Sequence, residues 1–256
     1  MDRVELTPSG RTLHPTTNGY VVGHAQAALI DPAARSDVLD SHLANRTLSH
    51  VLLTHYHGDH VGAVAHYATE HDATVWALQG HEAAFEAATG IAPDRTLREG
   101  TRIETDEGEL EVIYTPGHAR EHVCFALGDA VVSGDLAVAE GSIVVGAPEG
   151  DMRAYLASLR RLCARDPDTL QPGHGPAIEH PRAVCAHLID HRLGRERKIR
   201  AAVNAGARDL DSILDAAYEK DVSHVRGLAE ATVRAHLEKL AVEGDLRWDG
   251  EHAEPA

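Results

Sequence analysis

The stretch Thr54-His55-Tyr56-His57-Gly58-Asp59-His60 constrains this chain more than any other. It follows the apolar run Val51-Leu52-Leu53, which reads as a buried strand. Core packing has no use for three imidazoles and a carboxylate placed so close together. If the backbone is still extended at His55 and His57, their side chains point the same way, because strand side chains alternate with period two. Gly58 then permits a sharp turn. Asp59 and His60 open the next helix and face back toward the same point. Imidazole and carboxylate suit zinc and other first-row metals. A strand, a turn and a helix arranged this way can supply ligands to two metals at once.

The first 180 residues alternate short strand-like and helical runs. Tyr20-Val21-Val22 and Ala27–Ile30 read as strands, the second closed by Asp31-Pro32. Ser36–Leu43 reads as a helix with a serine cap. Strands are predicted at Val51–Thr54, Thr74–Leu78, Leu110–Tyr114, Val123–Leu127, Ala130–Ser133 and Ile143–Val145, and helices at Val61–Glu70 and His81–Ala88. Met152, Tyr155, Leu156, Leu159, Leu162 and Cys163 fall at helical spacing. After about residue 182 strand signals almost vanish. Helices are expected over 183–204, Leu210–Tyr218 (capped by Asp209 or Asp211) and Gly227–Glu243, then a short hairpin over Asp245–Gly250 and a frayed last six residues. This divides the chain into residues 1–182, an α/β domain, and residues 183–256, a helical domain with the element order of a winged helix.

Composition narrows the setting. No stretch approaches the roughly 20 apolar residues of a membrane span. The N-terminus lacks the basic and apolar regions of a signal peptide. Cys124, Cys163 and Cys185 are odd in number and widely spaced, so they read as small buried hydrophobes rather than a disulfide framework. These features predict a cytoplasmic protein. The net charge is −16, with three lysines against 21 arginines, and residues 1–191 hold 13 basic and 27 acidic side chains. Such a surface repels nucleic acid at low ionic strength. It also suits a host with a salty cytoplasm, where screening over about 3 Å at 1 M salt would mask the repulsion.

Three more segments carry metal-competent side chains just past a strand, each beside a glycine: Thr115-Pro116-Gly117-His118, Ser133-Gly134-Asp135 and Pro172-Gly173-His174-Gly175. Sites in layered α/β folds gather at such ends. With these four motifs in this order, residues 18 to 180 resemble the metallo-β-lactamase fold superfamily. The resemblance implies a four-layer αβ/βα sandwich with metals at the sheet edges. It implies that His55, His57 and His118 bind one zinc, that Asp59, His60 and His174 bind a second, and that Asp135 bridges them. The nucleophile would be a zinc-bound hydroxide, oriented by Asp59. Asp31 resembles a position that hydrogen-bonds a ligand histidine.

Departures from the superfamily's better-known branches narrow the chemistry. Asp135 stands where zinc β-lactamases of the best-known subclass carry Cys, which disfavours antibiotic hydrolysis. His57 stands where flavo-di-iron proteins carry Glu. His122, four residues after His118, could contact substrate. The other histidines, His14, His50 and His236 among them, read as surface or capping residues. With its helical tail the chain resembles the lactamase-beta-like-protein-2 group, which includes an endoribonuclease acting on single-stranded RNA and thioesterase-like members. The resemblance implies a hydrolase of a small thioester or ester, with RNA cleavage or a mononuclear-iron persulfide-dioxygenase-like oxidation as alternatives. Arg192 and Arg195, with Arg197, Lys198 and Arg200, could guide an anionic substrate. The wing has little excess positive charge, so duplex DNA is not an expected partner. Oligomeric state is not legible.

Overall fold

The computed structural model describes residues 1–10 and 12–256. Contacts divide the chain into two compact units, one of Met1–Thr115, Glu121–Gly141 and Asp166–Pro181, the other of Pro116–Arg120, Ser142–Arg165 and Arg182–Ala256.

The first unit opens with strands β1 (Asp2–Leu6), β2 (Thr17–Val22) and β3 (Ala27–Ile30), then α1 (Asp37–Leu43) and β4 (Leu48–Leu52). Short α2 (Gly58–Val61) and α3 (Val64–His71) lead to β5 (Thr74–Leu78), α4 (Glu82–Thr89) and β6 (Arg95–Leu97). A run of hairpins follows, β7 (Arg102–Thr105), β8 (Gly108–Tyr114), β9 (Val123–Leu127) and β10 (Ala130–Gly134), and β11 (Thr169–Pro172) returns later in the chain. The six strands β1 to β6 lie side by side in chain order. The first two pairings are antiparallel and the rest parallel. The second sheet runs β11-β10-β9-β8-β7, parallel only between β10 and β11.

Strand alternation explains the layering. Tyr20, Val22, Ala28, Ile30, Leu52, Trp76 and Leu78 on one face of the first sheet share a core with Ile103, Leu110, Val112, Val123, Phe125 and Val132 of the second. Their neighbours Val21, Ala27, Leu29, Val51, Val75 and Ala77 point the other way, onto Leu39 and Leu43 of α1, Val64 and Tyr67 of α3 and Phe85 of α4. Strands buried on both faces are apolar without interruption, which is why their runs were legible. Ser36 caps α1 as expected, accepting from the Leu39 N–H at 3.1 Å.

The second unit holds α5 (Met152–Arg165), α6 (Pro181–Asn204), α7 (Leu210–Ala217) and α8 (Arg226–Val242), with hairpin strands β12 (Leu246–Trp248) and β13 (Ala253–Pro255). Ile199, Val203, Ile213, Leu214, Val233, Leu237, Leu240, Leu246 and Ala253 form one of its cores. Asp209 caps α7 by accepting from the Ser212 N–H.

Two expectations need correcting here. Ile143–Val145 is not a strand: the Ile143 carbonyl accepts from Arg192 and the Val144 carbonyl from His118, so side chains take the place of ladder partners. The last six residues are not frayed either. Ala253 is fully buried, donates its N–H to the Arg208 carbonyl at 2.8 Å and starts β13. No helix among the described residues is long and apolar enough to cross a membrane.

Candidate metal centre

The turn after β4 carries His55, His57, Asp59 and His60, with His57 at the extended position just before α2. Fully buried Thr54 fixes the start of this turn. Its N–H and its Oγ1 hydroxyl both donate to the Asp31 carboxylate, each at 2.7 Å. That hydroxyl is therefore an acceptor for His55 Nδ1, 3.0 Å away. Asp31 Oδ2 also accepts from His60 Nδ1 at 3.0 Å. One buried carboxylate thus sets the tautomer of His60 directly and of His55 through Thr54, turning both Nε2 atoms into ligand atoms. Asp31 holds a left-handed backbone (φ 52°), which Asp tolerates better than most residues.

Tyr56 anchors the middle of the same turn. Its ring meets Phe85 edge-on, its hydroxyl accepts from the Leu78 N–H at 2.8 Å, and its own N–H donates to Glu121 Oε1 at 3.1 Å. It reads in the sequence as a spacer between ligands; in the structure it clamps the turn to β5 and to the start of β9's approach.

Asp135 and His174 arrive on neighbouring strands. The β10–β11 register slips between Val132 and Gly134, a bulge that re-aims the chain just before Asp135. Gly173 lets β11 pass close by: a Cβ there would stand 2.4 Å from Asp135 Oδ1 and 2.8 Å from His60 Cε1. His174 Nδ1 donates to the Thr16 carbonyl at 2.8 Å, again leaving Nε2 as the ligand atom. Asp135 Oδ1 lies 3.6 Å from His60 Nε2 and 3.4 Å from His174 Nε2, and Asp59 Oδ2 lies 3.7 Å from His174 Nε2. The ligand atoms of His55, His60 and Asp135 fall within 4.8 Å of one another, as do those of Asp59, His60 and His174. In the second unit, His118 follows Gly117, whose φ of +146° and contact with the Tyr155 backbone leave no room for a Cβ. His118 Nδ1 donates to the Val144 carbonyl at 2.7 Å.

These residues fit a bound metal ion. Among the described residues, His60 Nε2 and His174 Nε2 are buried without a hydrogen-bond partner. Burial opposes a charge on His174, yet the Asp135 carboxylate 3.4 Å away, the Thr16 carbonyl and Asp59 push its pKa up to about 9. Burial likewise opposes charge on His60, and Asp31, Asp135 and Asp59 outweigh it, raising the pKa. Carboxylates packed this closely against buried imidazoles favour a cation among them.

The remaining candidates fall elsewhere. His122 is fully buried, bonded to Thr115 Oγ1 at 2.9 Å, with its ring 5.4 Å from that of His55. It has no exposed surface in this structure. Arg192 is 4% exposed, with its guanidinium committed to the Ile143 carbonyl and the Tyr155 ring, so it does not face an incoming anion. Arg195 lies over the Tyr218 ring at 3.6 Å and donates to the Ala217 carbonyl. His14, expected at the surface, stacks on His174 with centroids 4.2 Å apart and planes 20° apart. Its loop carries no periodicity that could have pointed to it. His236, also expected at the surface, is fully buried beside Glu196. Cys124 and Cys185 are buried and Cys163 partly so, without a disulfide.

Two facing mixed sheets with helices outside, and a histidine–carboxylate cluster at their strand ends, define a metal-binding fold class. Residues 12–174 match the metallo-beta-lactamase superfamily, and the chain belongs to it. It is similar to the Beta-lactamase-like protein 2 homolog of Drosophila melanogaster, 30% identical over 262 residues that cover 94% of this chain and 87% of that protein. It is also similar to the Atrochrysone carboxyl ACP thioesterase AacuM of Aspergillus aculeatus, 29% identical over 259 residues, 91% of this chain and 78% of that one. The crystal structure of a Beta-lactamase domain protein from Burkholderia ambifaria shares the fold, with a TM-score of 0.83 at 22% identity over 99% of this chain and 91% of that one.

Proposed function

We propose that the chain is a dinuclear-zinc hydrolase acting on an acyl thioester or ester. The observation that carries this reading is the set of imidazoles whose Nδ1 atoms are each held by an acceptor, at His55, His60, His118 and His174, so that each Nε2 serves as a ligand atom. In this reading His55, His57 and His118 would hold one ion, Asp59, His60 and His174 the other, and Asp135 would be a further ligand. When bound, such a pair supplies Lewis acidity and lowers the pKa of water toward about 7. Asp59, at 21% side-chain exposure against 8% for Asp135, is the carboxylate best placed to take a proton from an attacking water. The similarity to a protein named as a thioesterase supports the substrate class. We read residues 183–256 as a winged-helix module that follows the catalytic residues 1–182 in the chain and shares a compact unit with 116–120 and 142–165. The wing holds one arginine, Arg247, against the acidic Asp245, Asp249, Glu251 and Glu254, which argues against a grip on duplex DNA.

The test is metal analysis of the purified chain together with turnover on acyl-thioesters, lactones and single-stranded RNA at low and molar salt. Near two zincs per chain and thioester turnover that fails in Asp59→Ala and His174→Ala support the reading. A single iron with sulfur oxidation, or cleavage of RNA alone, overturns it.

A further inference from the structure

On the second unit, α6 carries six basic and two acidic side chains in a chain whose net charge is −16. Asp190, His191, Gly194, Arg195, Arg197, Lys198 and Ala201 line an open groove of about 470 Å³ on this helix. That volume lies within the roughly 300–1,000 Å³ of small-molecule sites. Gly194 supplies no side chain to its floor.

The cations here differ in how they are used. Arg195 is pre-oriented by its stack on Tyr218. Lys198 meets Glu219 at 2.6 Å, but Glu219 is 81% exposed, so the pair is solvent-screened and easily exchanged. Arg197 is exposed and makes no hydrogen bond or ion pair among the described residues. Elsewhere on this unit Arg226 meets Asp211, Asp215 and Glu230, Arg247 meets Glu254, and Arg200 meets Asp245. The groove that Arg195, Arg197 and Lys198 line is the size of a small molecule. A single-stranded nucleic acid needs a longer charged track.

We propose that this groove binds the phosphorylated nucleotide handle of a coenzyme A thioester. The inference rests on the thioester reading above and names its substrate class. A chain this acidic repels a polyphosphorylated substrate at long range, so local cations must offset that repulsion. Arg197 and Arg195 offer planar forks that match phosphate oxygens, and Lys198 offers a point charge. The pantetheine arm separates the handle from the thioester carbonyl, so handle and carbonyl can be held by different parts of the chain.

Two measurements on the metal-loaded full chain decide the matter. In the first, adenosine 3′,5′-bisphosphate is titrated calorimetrically into wild type, Arg197→Ala and the Arg197→Glu/Lys198→Glu double variant, with hydrogen exchange followed over residues 190–201. One-to-one binding, protection in that segment, and weakening by about tenfold or more in the double variant are expected. Equal affinity in all three proteins, or protection only elsewhere, overturns the proposal. Tighter binding of a single-stranded RNA dodecamer in competition does the same. In the second, acyl-coenzyme A is compared with the same acyl group on N-acetylcysteamine. The double variant should lose about tenfold of its preference for the former through KM; an unchanged preference overturns the proposal. If neither thioester turns over, the hydrolase reading fails, while the calorimetry still decides the groove.

Discussion

Asp31 and His60 share a 3.0 Å hydrogen bond between two fully buried side chains. The same carboxylate holds both the N–H and the hydroxyl of Thr54. Asp31→Asn keeps an acceptor for the Thr54 N–H and tolerates the left-handed backbone. An amide turned this way offers His60 Nδ1–H a donor instead of an acceptor. Outer partners of this kind are worth about 10- to 100-fold in metal affinity. A chelator competition should find that loss; equal affinities in the two proteins would refute the link.

Gly173 is a glycine because two site residues occupy the space beside it. Gly173→Ala should cost about 1–3 kcal/mol by overpacking, measured by denaturant unfolding, and should lower the metal content of the purified protein. Gly58 is the contrast. A Cβ there meets nothing within 4 Å, so Gly58→Ala, inside a helical turn, should stay within about 0.5 kcal/mol of wild type. Equal effects at the two positions would remove the steric argument.

Tyr56→Phe deletes the acceptor for the Leu78 N–H and leaves the ring against Phe85 in place. An unsatisfied backbone donor costs about 1–3 kcal/mol. Thermal unfolding should show the loss. A Tm within error of wild type would mean that the hydroxyl is dispensable.

Asp106 accepts from the N–H groups of Ala25, His24 and Gln26, and these bonds lower its pKa from 3.8 to about 2. A depressed carboxylate stabilises the fold above its unfolded pKa, and the contribution is lost as the pH falls through the folded value. Wild type should therefore lose stability relative to Asp106→Asn between about pH 4 and pH 2. A flat difference across that window would count against this account.

The ligand motifs were legible because their chemistry is local. His55 to His60, His118, Asp135 and His174 each sit beside a strand end and a glycine, and the same strands reappear as β4, β8, β10 and β11. What escaped the sequence depends on distant partners. The β1 strand, with Val4 and Leu6 buried, pairs with β2 across the loop that holds His14. His14 gains its meaning only because Thr16, two residues on, receives the His174 proton. His236 looks like any helix-surface histidine until Glu196 and Lys239 are brought beside it. Ile143–Val145 has a strand's composition, but its carbonyls were taken by Arg192 and His118.

The compact units are not consecutive in the chain, and this bears on how the protein can be cut, fused or recombined. The His118 segment and α5 belong to the same unit as the C-terminal helices, and the Ala147 N–H reaches the carbonyl of Ala231 on α8 at 3.0 Å. Deleting the tail would strip partners from a segment that carries one of the proposed ligands. The tail is therefore no detachable cassette: recombination that exchanges it must exchange residues 116–120 and 142–165 with it.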